Sequence, residues 1–243
     1  MCEHLYMFLD KIFGEVYYIL RKRKGKKIMK KTLYSLMLNE DVVREVDALA
    51  HRMGTNRSAL INRILAEYVN FVTPEQRIND VLSAIEELMS PSRELVPVFA
   101  PNSFSMYLKS SLEYKYRPTV KYEVELYKGE GDTIGQLSVA FRTQTAALVP
   151  AMTEFFRLWC AVEQAHLLPL TGAKLEYALG EGKFLRSIAA PDAKCSSQEL
   201  ATALSEYIKL FDSLMKAYLA GRLDAHGVEA AYYAQMLRSP VHI

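Results

Sequence analysis

The side chains best suited to chemistry are grouped in the first quarter of the sequence. Lys30 and Lys31 precede a short apolar run, and Asn56, Arg57 and Ser58 follow a Met-Gly-Thr turn. Lysine and arginine neutralise phosphate groups, and the N-terminus of a helix adds backbone N–H groups that bind anions. These five residues therefore predict a phosphate-binding surface, which is a binding function rather than a catalytic one.

The polar residues that typically serve catalysis or metal binding are scattered. The cysteines form no C-x-x-C pair, and two short Gly-x-Gly segments have no phosphate-loop lysine, so they predict hairpin turns. The histidines form neither an H-x-x-x-H nor an H-E-x-x-H pair; they are His4, His51, His166, His226 and His242. We therefore expect no catalytic residue, no metal ligand set and no cofactor. A metal site assembled from distant residues and an enzyme in the C-terminal half are the less favoured alternatives.

A second candidate surface is aromatic and basic. It consists of Tyr114, Tyr116, Arg117, Tyr122 and Arg142. Such a set suits a ligand or single-stranded nucleic acid, whose bases stack on aromatic rings. The alternative, which the alternating pattern around these residues favours, is a set of cross-strand pairs in a sheet.

Composition limits the class of protein. The chain has 243 residues, of which 50% are hydrophobic and 24% charged, and its formal net charge is +2 at pH 7. So small a net charge does not attract the whole protein to nucleic acid, and any basic surface must be local. The three widely spaced cysteines are typical of reduced thiols, so we expect a cytoplasmic protein without a membrane partner.

Residues 1–28 differ from the rest of the chain. The first 20 are apolar but too short and too charged to span a bilayer, and a basic run follows them. Two interpretations remain open. One is an amphipathic helix with a basic tail that contacts a membrane surface or phosphate groups. The other, which we favour, is an extension that is not natively translated, so that the protein starts at Met29.

The next 40 residues predict a strand, a helix, a turn and a second helix. Residues 32–38 form one extended apolar run, and Asn39 provides an N-cap for a helix with apolar residues at helical spacing. Gly54 ends that helix, and Asn56 begins the next one. A single strand leaves its backbone groups unpaired, and about 40 residues are too few to enclose a core. We therefore expect this unit to pair with a second copy.

The remaining sequence predicts an α+β domain. Residues 72–92 begin with Thr-Pro and have one apolar stripe, which indicates a helix packed on a neighbour or a dimer mate. Pro91, Pro97 and Pro101 indicate a linker. The expected elements that follow are strands at 106–116, 120–127 and 137–142, a helix at 149–166, a hairpin around 180–182, and helices near 197–220 and 224–238. Together they form an antiparallel sheet covered by helices.

The order of signals in residues 30–70 resembles the ribbon-helix-helix family of the CopG, Arc and MetJ type. The shared features are a single strand after a basic start, a Leu-Asn-Glu cap, a Met-Gly turn and an Asn-Arg-Ser-Ala entry to the second helix. The resemblance covers about a sixth of the chain. It implies a homodimer that binds double-stranded DNA with a two-stranded β-ribbon in the major groove and with helix N-termini on phosphates.

In that family the outward face of the ribbon contacts the bases. The resemblance places Leu33, Ser35 and Met37 on this face, and Tyr34, Leu36 and Leu38 on the inward face. Family members usually carry polar or basic side chains outward, whereas only Ser35 here is able to hydrogen-bond to a base edge. The alternative is therefore a ribbon that no longer reads sequence and serves mainly to dimerise.

The sequence thus predicts four parts. They are an N-terminal extension (1–28), a ribbon-helix-helix module (29–71), a connecting helix (72–92) and an α+β domain of unknown purpose (93–243). We expect a dimeric transcriptional regulator whose C-terminal domain is available to a protein or a small-molecule effector. The alternative is a protein-interaction factor, of the antitoxin or plasmid-maintenance type, in which the module serves for dimerisation.

Overall fold

The structure is a computed structural model, and it describes residues 33, 35–92, 94–99, 104–113, 117–128, 131–143, 145, 147–172, 175–180, 182–191 and 195–243. The helices of this part are α1 (Glu40–Arg52), α2 (Arg57–Tyr68), α3 (Pro74–Met89), α4 (Leu148–Thr171), α5 (Ser197–Leu219) and α6 (Ala225–Met236). Its strands are β1 (Val96–Phe99), β2 (Ser105–Ser111), β3 (Thr119–Leu126), β4 (Thr133–Arg142), β5 (Tyr177–Gly180) and β6 (Lys183–Ala189).

The six strands form one antiparallel sheet in the order β1-β2-β3-β4-β6-β5. In the predicted hairpin of β3 and β4, Thr119 lies opposite Arg142 and Leu126 opposite Gly135. The second predicted hairpin joins β5 to β6, and Gly182 takes the positive φ of +68° that this turn requires. The predicted α+β fold with an antiparallel sheet is therefore confirmed.

One face of the sheet carries the hydrophobic core. Val120, Tyr122 and Val124 of β3 are fully buried, whereas the residues between them are only partly covered. This is the burial pattern of a sheet with helices on one face. Aromatic side chains of the long helices fill the core with edge-to-face contacts, such as that between Phe155 of α4 and Phe211 of α5 at 5.4 Å.

Strand β1 corrects the prediction of a linker after Pro91. Residues Val96–Phe99 pair with Tyr107 and its neighbours in β2, although Pro97 lies within the strand. Proline has no N–H to donate to a ladder, but β1 is an edge strand, where one side needs no partner. Pro97 therefore does not interrupt the strand, because it lies at the edge of the sheet.

Helix α4 and strand β2 also differ in length from their predictions. Helix α4 was expected to end at 166, but it continues to Thr171 and ends at Gly172, whose φ is +63°. Strand β2 was expected to reach 116, but it ends at Ser111. In both places the local pattern was correct and the end was not, because tertiary packing sets where an element stops.

The connecting helix α3 packs against α5 of the same chain. Its buried side chains join the core of the C-terminal domain; they are Ile78, Val81, Leu82, Ala84, Ile85 and Met89. Polar contacts support this packing: Lys209 donates to the carbonyl oxygen of Leu88 at 3.1 Å, and Lys216 to Glu94 at 2.8 Å. The neighbour that the apolar stripe predicted is therefore α5.

The core also holds an ion pair with no access to solvent. Nε of Arg186 lies 3.0 and 3.1 Å from the two carboxylate oxygens of Glu163, and both side chains are fully buried. Burial raises the pKa of Glu163, and the positive charge of Arg186 only partly offsets this effect.

In the described parts of the chain, no helix combines the length and apolarity that crossing a membrane requires.

Candidate nucleic-acid interface

The segment before α1 is extended but forms no strand in the single chain. The described residues 33 and 35–39 have no ladder partner. Their exposure nevertheless alternates: Leu33 and Met37 are 95% and 102% exposed, while Leu36 and Leu38 are 58% and 44% exposed. Leu33 and Met37 are thus the large apolar side chains of this segment that the chain leaves most exposed.

The two helices of the module begin at the predicted caps. The side chain of Asn39 accepts a hydrogen bond from the N–H of Asp41 at 2.8 Å, and that of Asn56 accepts from Ala59 at 2.9 Å. Between the helices Gly54 has a φ of +61°, a conformation that side chains with a Cβ rarely adopt. These local interactions fix the position where α2 starts.

The N-terminus of α2 presents free backbone donors. The N–H groups in the first turn of a helix have no partner within the helix. The side chain of Asn56 accepts from the N–H of Ala59, whereas no described residue accepts from those of Arg57 and Ser58. Ser58 is exposed. Two adjacent N–H groups with the positive end of the helix dipole suit a phosphate oxygen.

The guanidinium of Arg57 lies against Asp47 of α1. Nε of Arg57 donates to Oδ1 of Asp47 at 2.5 Å, and Nη2 contacts Oδ2, so the pair is bidentate and ties α2 to α1. The hydrogen bond lowers the pKa of Asp47 and raises that of Arg57. Two of the five guanidinium N–H groups are used, and three remain. A phosphate contact by Arg57 must therefore share the side chain with Asp47.

Most apolar side chains of the module are not covered by the single chain. Between residues 36 and 72 only Ala50, Leu60 and Ala66 are buried apolar residues. The exposed large apolar residues in this range are Leu36, Met37, Leu38, Val42, Met53, Ile64, Leu65, Tyr68, Val69, Phe71 and Val72. Monomeric proteins rarely leave so many neighbouring apolar side chains in water.

Several predicted site residues lie outside the described residues. Lys30, Lys31 and Tyr34 belong to this group, as does the whole extension 1–28. Of the candidate aromatic and basic surface, Tyr122 is fully buried and donates to Asp212 at 2.8 Å, so it is not available to a ligand. Within the part of the chain described here, no group of three or more His, Cys, Asp or Glu side chains is placed to hold a metal ion.

An exposed extended segment followed by a capped helical hairpin is the arrangement of a ribbon-helix-helix module. Residues 35–70 match the family model of the ribbon-helix-helix proteins of the copG family, which confirms the predicted module. The match covers about a seventh of the chain and identifies this segment alone. Neither the curated proteins nor the solved structures compared with the chain gave a match.

Asp47 is a residue of the candidate site that the sequence pattern does not predict. It lies ten positions before Arg57, on the preceding helix, and the two meet only because the turn at Gly54 folds α2 back along α1. Asp47 falls off the apolar face of α1, as does any solvated acidic residue. The one hint in the sequence is that the charge of Asp47 is opposite to that of Arg57.

Proposed function

We propose that the protein is a homodimeric DNA-binding regulator, in which two modules form one ribbon and one shared core. The observation that carries this proposal is the exposed apolar surface of the module, together with the family match over residues 35–70. A second copy covers this surface and gives the extended segment its missing ladder partner. No catalytic group is part of the proposed function.

In this proposal the dimer grips DNA mainly through phosphates. The N–H groups of Arg57 and Ser58 bind one backbone phosphate in each half-site, and Lys30 and Lys31 add charge beside the ribbon. Leu33, Ser35 and Met37 face the bases. Two of these three side chains are apolar and able only to touch thymine methyl groups, so we expect the affinity to depend more on salt than on sequence.

The ion pair of Arg57 and Asp47 orients the guanidinium at the start of α2. A bidentate carboxylate fixes the plane of the guanidinium and leaves its other three N–H groups for a phosphate oxygen. Because the pair is exposed, it contributes little to stability by itself, and its role in this proposal is to orient the guanidinium.

The experiment that tests the proposal measures mass and DNA binding on the same preparation. Sedimentation gives the oligomeric state of the full chain. Fluorescence anisotropy gives its affinity for two duplexes, one from upstream of its own gene and one scrambled, at low and at physiological salt. We expect a dimer that binds both duplexes at low salt, and the upstream duplex more tightly. A stable monomer that binds neither duplex contradicts the proposal.

A second function is favoured by one specific observation. Leu33 and Met37 are almost completely exposed, and apolar side chains at those positions suit a protein surface as well as a DNA groove. The module would then dimerise the chain, and the protein would act as an interaction factor of the antitoxin type. A dimer that shows no duplex binding even at low salt supports this second function over the first.

A further inference from the structure

The C-terminal domain contains a cavity that is partly open to solvent. It has a volume of about 50 Å³ and lies between the end of α4, the middle of α5, α6 and residues 239–243. Leu167, Leu210 and Met236 contribute apolar walls, and Arg186, Tyr207 and Tyr232 contribute polar groups from buried residues. A water molecule needs roughly 10–15 Å³ on this scale, so the space holds about three to five non-hydrogen atoms.

Two buried side chains in the cavity wall have donors to spare. Arg186 is 1% exposed and gives its N–H groups to Glu163, to the carbonyl oxygen of Ser187 and to a main-chain oxygen of Ile243. These bonds use three of its five N–H groups, and the described residues offer no partner for the other two. Tyr232 is 4% exposed, and no described residue forms a hydrogen bond with its hydroxyl.

Both groups keep their protons at neutral pH. Burial, reinforced by the negative charge of Glu163, raises the pKa of Tyr232, so its hydroxyl remains a donor. Burial alone would lower the pKa of Arg186, but Glu163 and the surrounding tyrosines raise it. An acceptor oxygen in the cavity gives these donors a hydrogen-bond partner within the protein, in place of the solvent that the open side of the cavity admits.

The charge of the site selects among acceptor ligands. The positive charge of Arg186 is already balanced by Glu163 at 3.0 Å, and Glu206 at the rim adds a further negative charge. An anion entering the cavity would leave water without gaining an unpaired positive charge, which is unfavourable in a buried site. An uncharged carbonyl or amide oxygen has no such cost.

We propose that this cavity is a binding site for a small uncharged carbonyl compound, in which the oxygen accepts from Arg186 and Tyr232 and the short apolar part contacts Leu210 and Met236. The site does not depend on the DNA-binding proposal. It lies in the C-terminal domain, and its size and charge define the class of ligand that this domain would bind.

The protein carries its own reporter for this site. Trp159 is the single tryptophan of the chain, its ring lies 5.3 Å from that of Tyr232, and its Nε1 donates to the hydroxyl of Tyr207 at 2.7 Å. Titration of the full chain with propionamide, which has five non-hydrogen atoms, is followed by the indole N–H resonance. We expect a saturable shift with a dissociation constant in the millimolar range, as suits so small a ligand.

Three comparisons make the test decisive. Propionate has the same size as propionamide but carries a charge, and we expect it to bind at least tenfold more weakly. Tyr232→Phe removes only the hydroxyl and should weaken propionamide binding about fivefold, the usual effect of one hydrogen bond. The matched control is Tyr233→Phe, which removes the hydroxyl of the next residue in the chain. The ring of Tyr233 contacts His166 and does not line the cavity, so this variant should bind propionamide as the unchanged protein does.

A second variant tests the cavity without touching its donors. Ala203→Leu places a larger side chain in the wall and should abolish binding. The proposal is overturned if the indole resonance shows no saturable shift, if Tyr232→Phe binds as tightly as the unchanged protein, if propionate binds as tightly as propionamide, or if Ala203→Leu retains binding.

Discussion

Leu65 provides the most direct test of dimerisation through the module. It lies on α2 and is 51% exposed in the single chain, beside other exposed apolar residues of the same helix. If a second copy covers this surface, Leu65→Ala removes contacts that exist only in the dimer. The fold of each chain should change little, because Leu60 and Ala66 form the part of α2 that is already buried.

The expected size of the effect follows from the area that remains to be covered. Full burial of a leucine side chain contributes about 1.5–3 kcal/mol, so covering the exposed half contributes about 1 kcal/mol. A symmetric dimer contains two copies, which gives a loss of about 2 kcal/mol. The dimer dissociation constant should therefore rise roughly 30-fold.

Sedimentation equilibrium over a range of concentrations measures this constant directly. Leu168→Ala is a matched control, because Leu168 is 45% exposed but lies on α4, outside the module. We expect the control to dimerise as the unchanged protein does. If both variants shift the dissociation constant equally, or if neither does, the exposed face of α2 is not the dimer interface and the reasoning fails.

Three further predictions concern charged groups. Arg57→Ala removes one phosphate contact per subunit, so the slope of log affinity against log salt concentration should become shallower by about two per dimer. Arg63→Ala should leave this slope unchanged, and anisotropy titrations at several salt concentrations measure both. Glu163→Gln leaves the guanidinium of its partner buried without a counter-charge and should cost about 3–5 kcal/mol in urea unfolding; Glu154→Gln, in an exposed pair, should cost less than about 0.5 kcal/mol. The hydrogen bond from a lysine lowers the pKa of Glu94 below its usual 4.5, so this contact stabilises the fold above that pH and is lost as the pH falls through the lower value. Glu94→Gln should accordingly lose less stability than the unchanged protein when unfolding is measured at decreasing pH below 4.5.

The module could be predicted from the sequence because its boundaries are set by local interactions. Asn39 and Asn56 cap helices through hydrogen bonds that reach only two or three residues ahead. Gly54 ends a helix by its own backbone conformation. Each of these signals is complete within a few residues, and no knowledge of tertiary packing is needed to read it.

The features that the sequence did not reveal join distant residues. Glu163 is one charged residue in a helix that is otherwise apolar, and nothing local to it points to Arg186, 23 positions later in β6. Likewise, the alternating pattern around Tyr122 predicts a strand, but it gives no sign of the hydrogen bond to Asp212, which lies 90 positions later. Pairings of this kind depend on which strand lies under which helix, and single-sequence periodicity carries no such information.

The two parts of the chain differ in how they cover their apolar surface, and this difference decides where the protein associates. The C-terminal domain completes its own core, and α3 is part of it: Ile85 and Met89 are fully buried there. A fragment that begins at residue 93 would lack α3 and would therefore expose the apolar face of α5. Self-association of this fragment would then be caused by the truncation and would say nothing about the full chain. A fragment that begins at Thr73, the cap of α3, keeps that core intact. We expect this longer fragment to be monomeric by sedimentation while the full chain dimerises, since most of the exposed large apolar side chains lie before residue 73. A dimer of the longer fragment would assign the association to the C-terminal domain and leave the module without its proposed role.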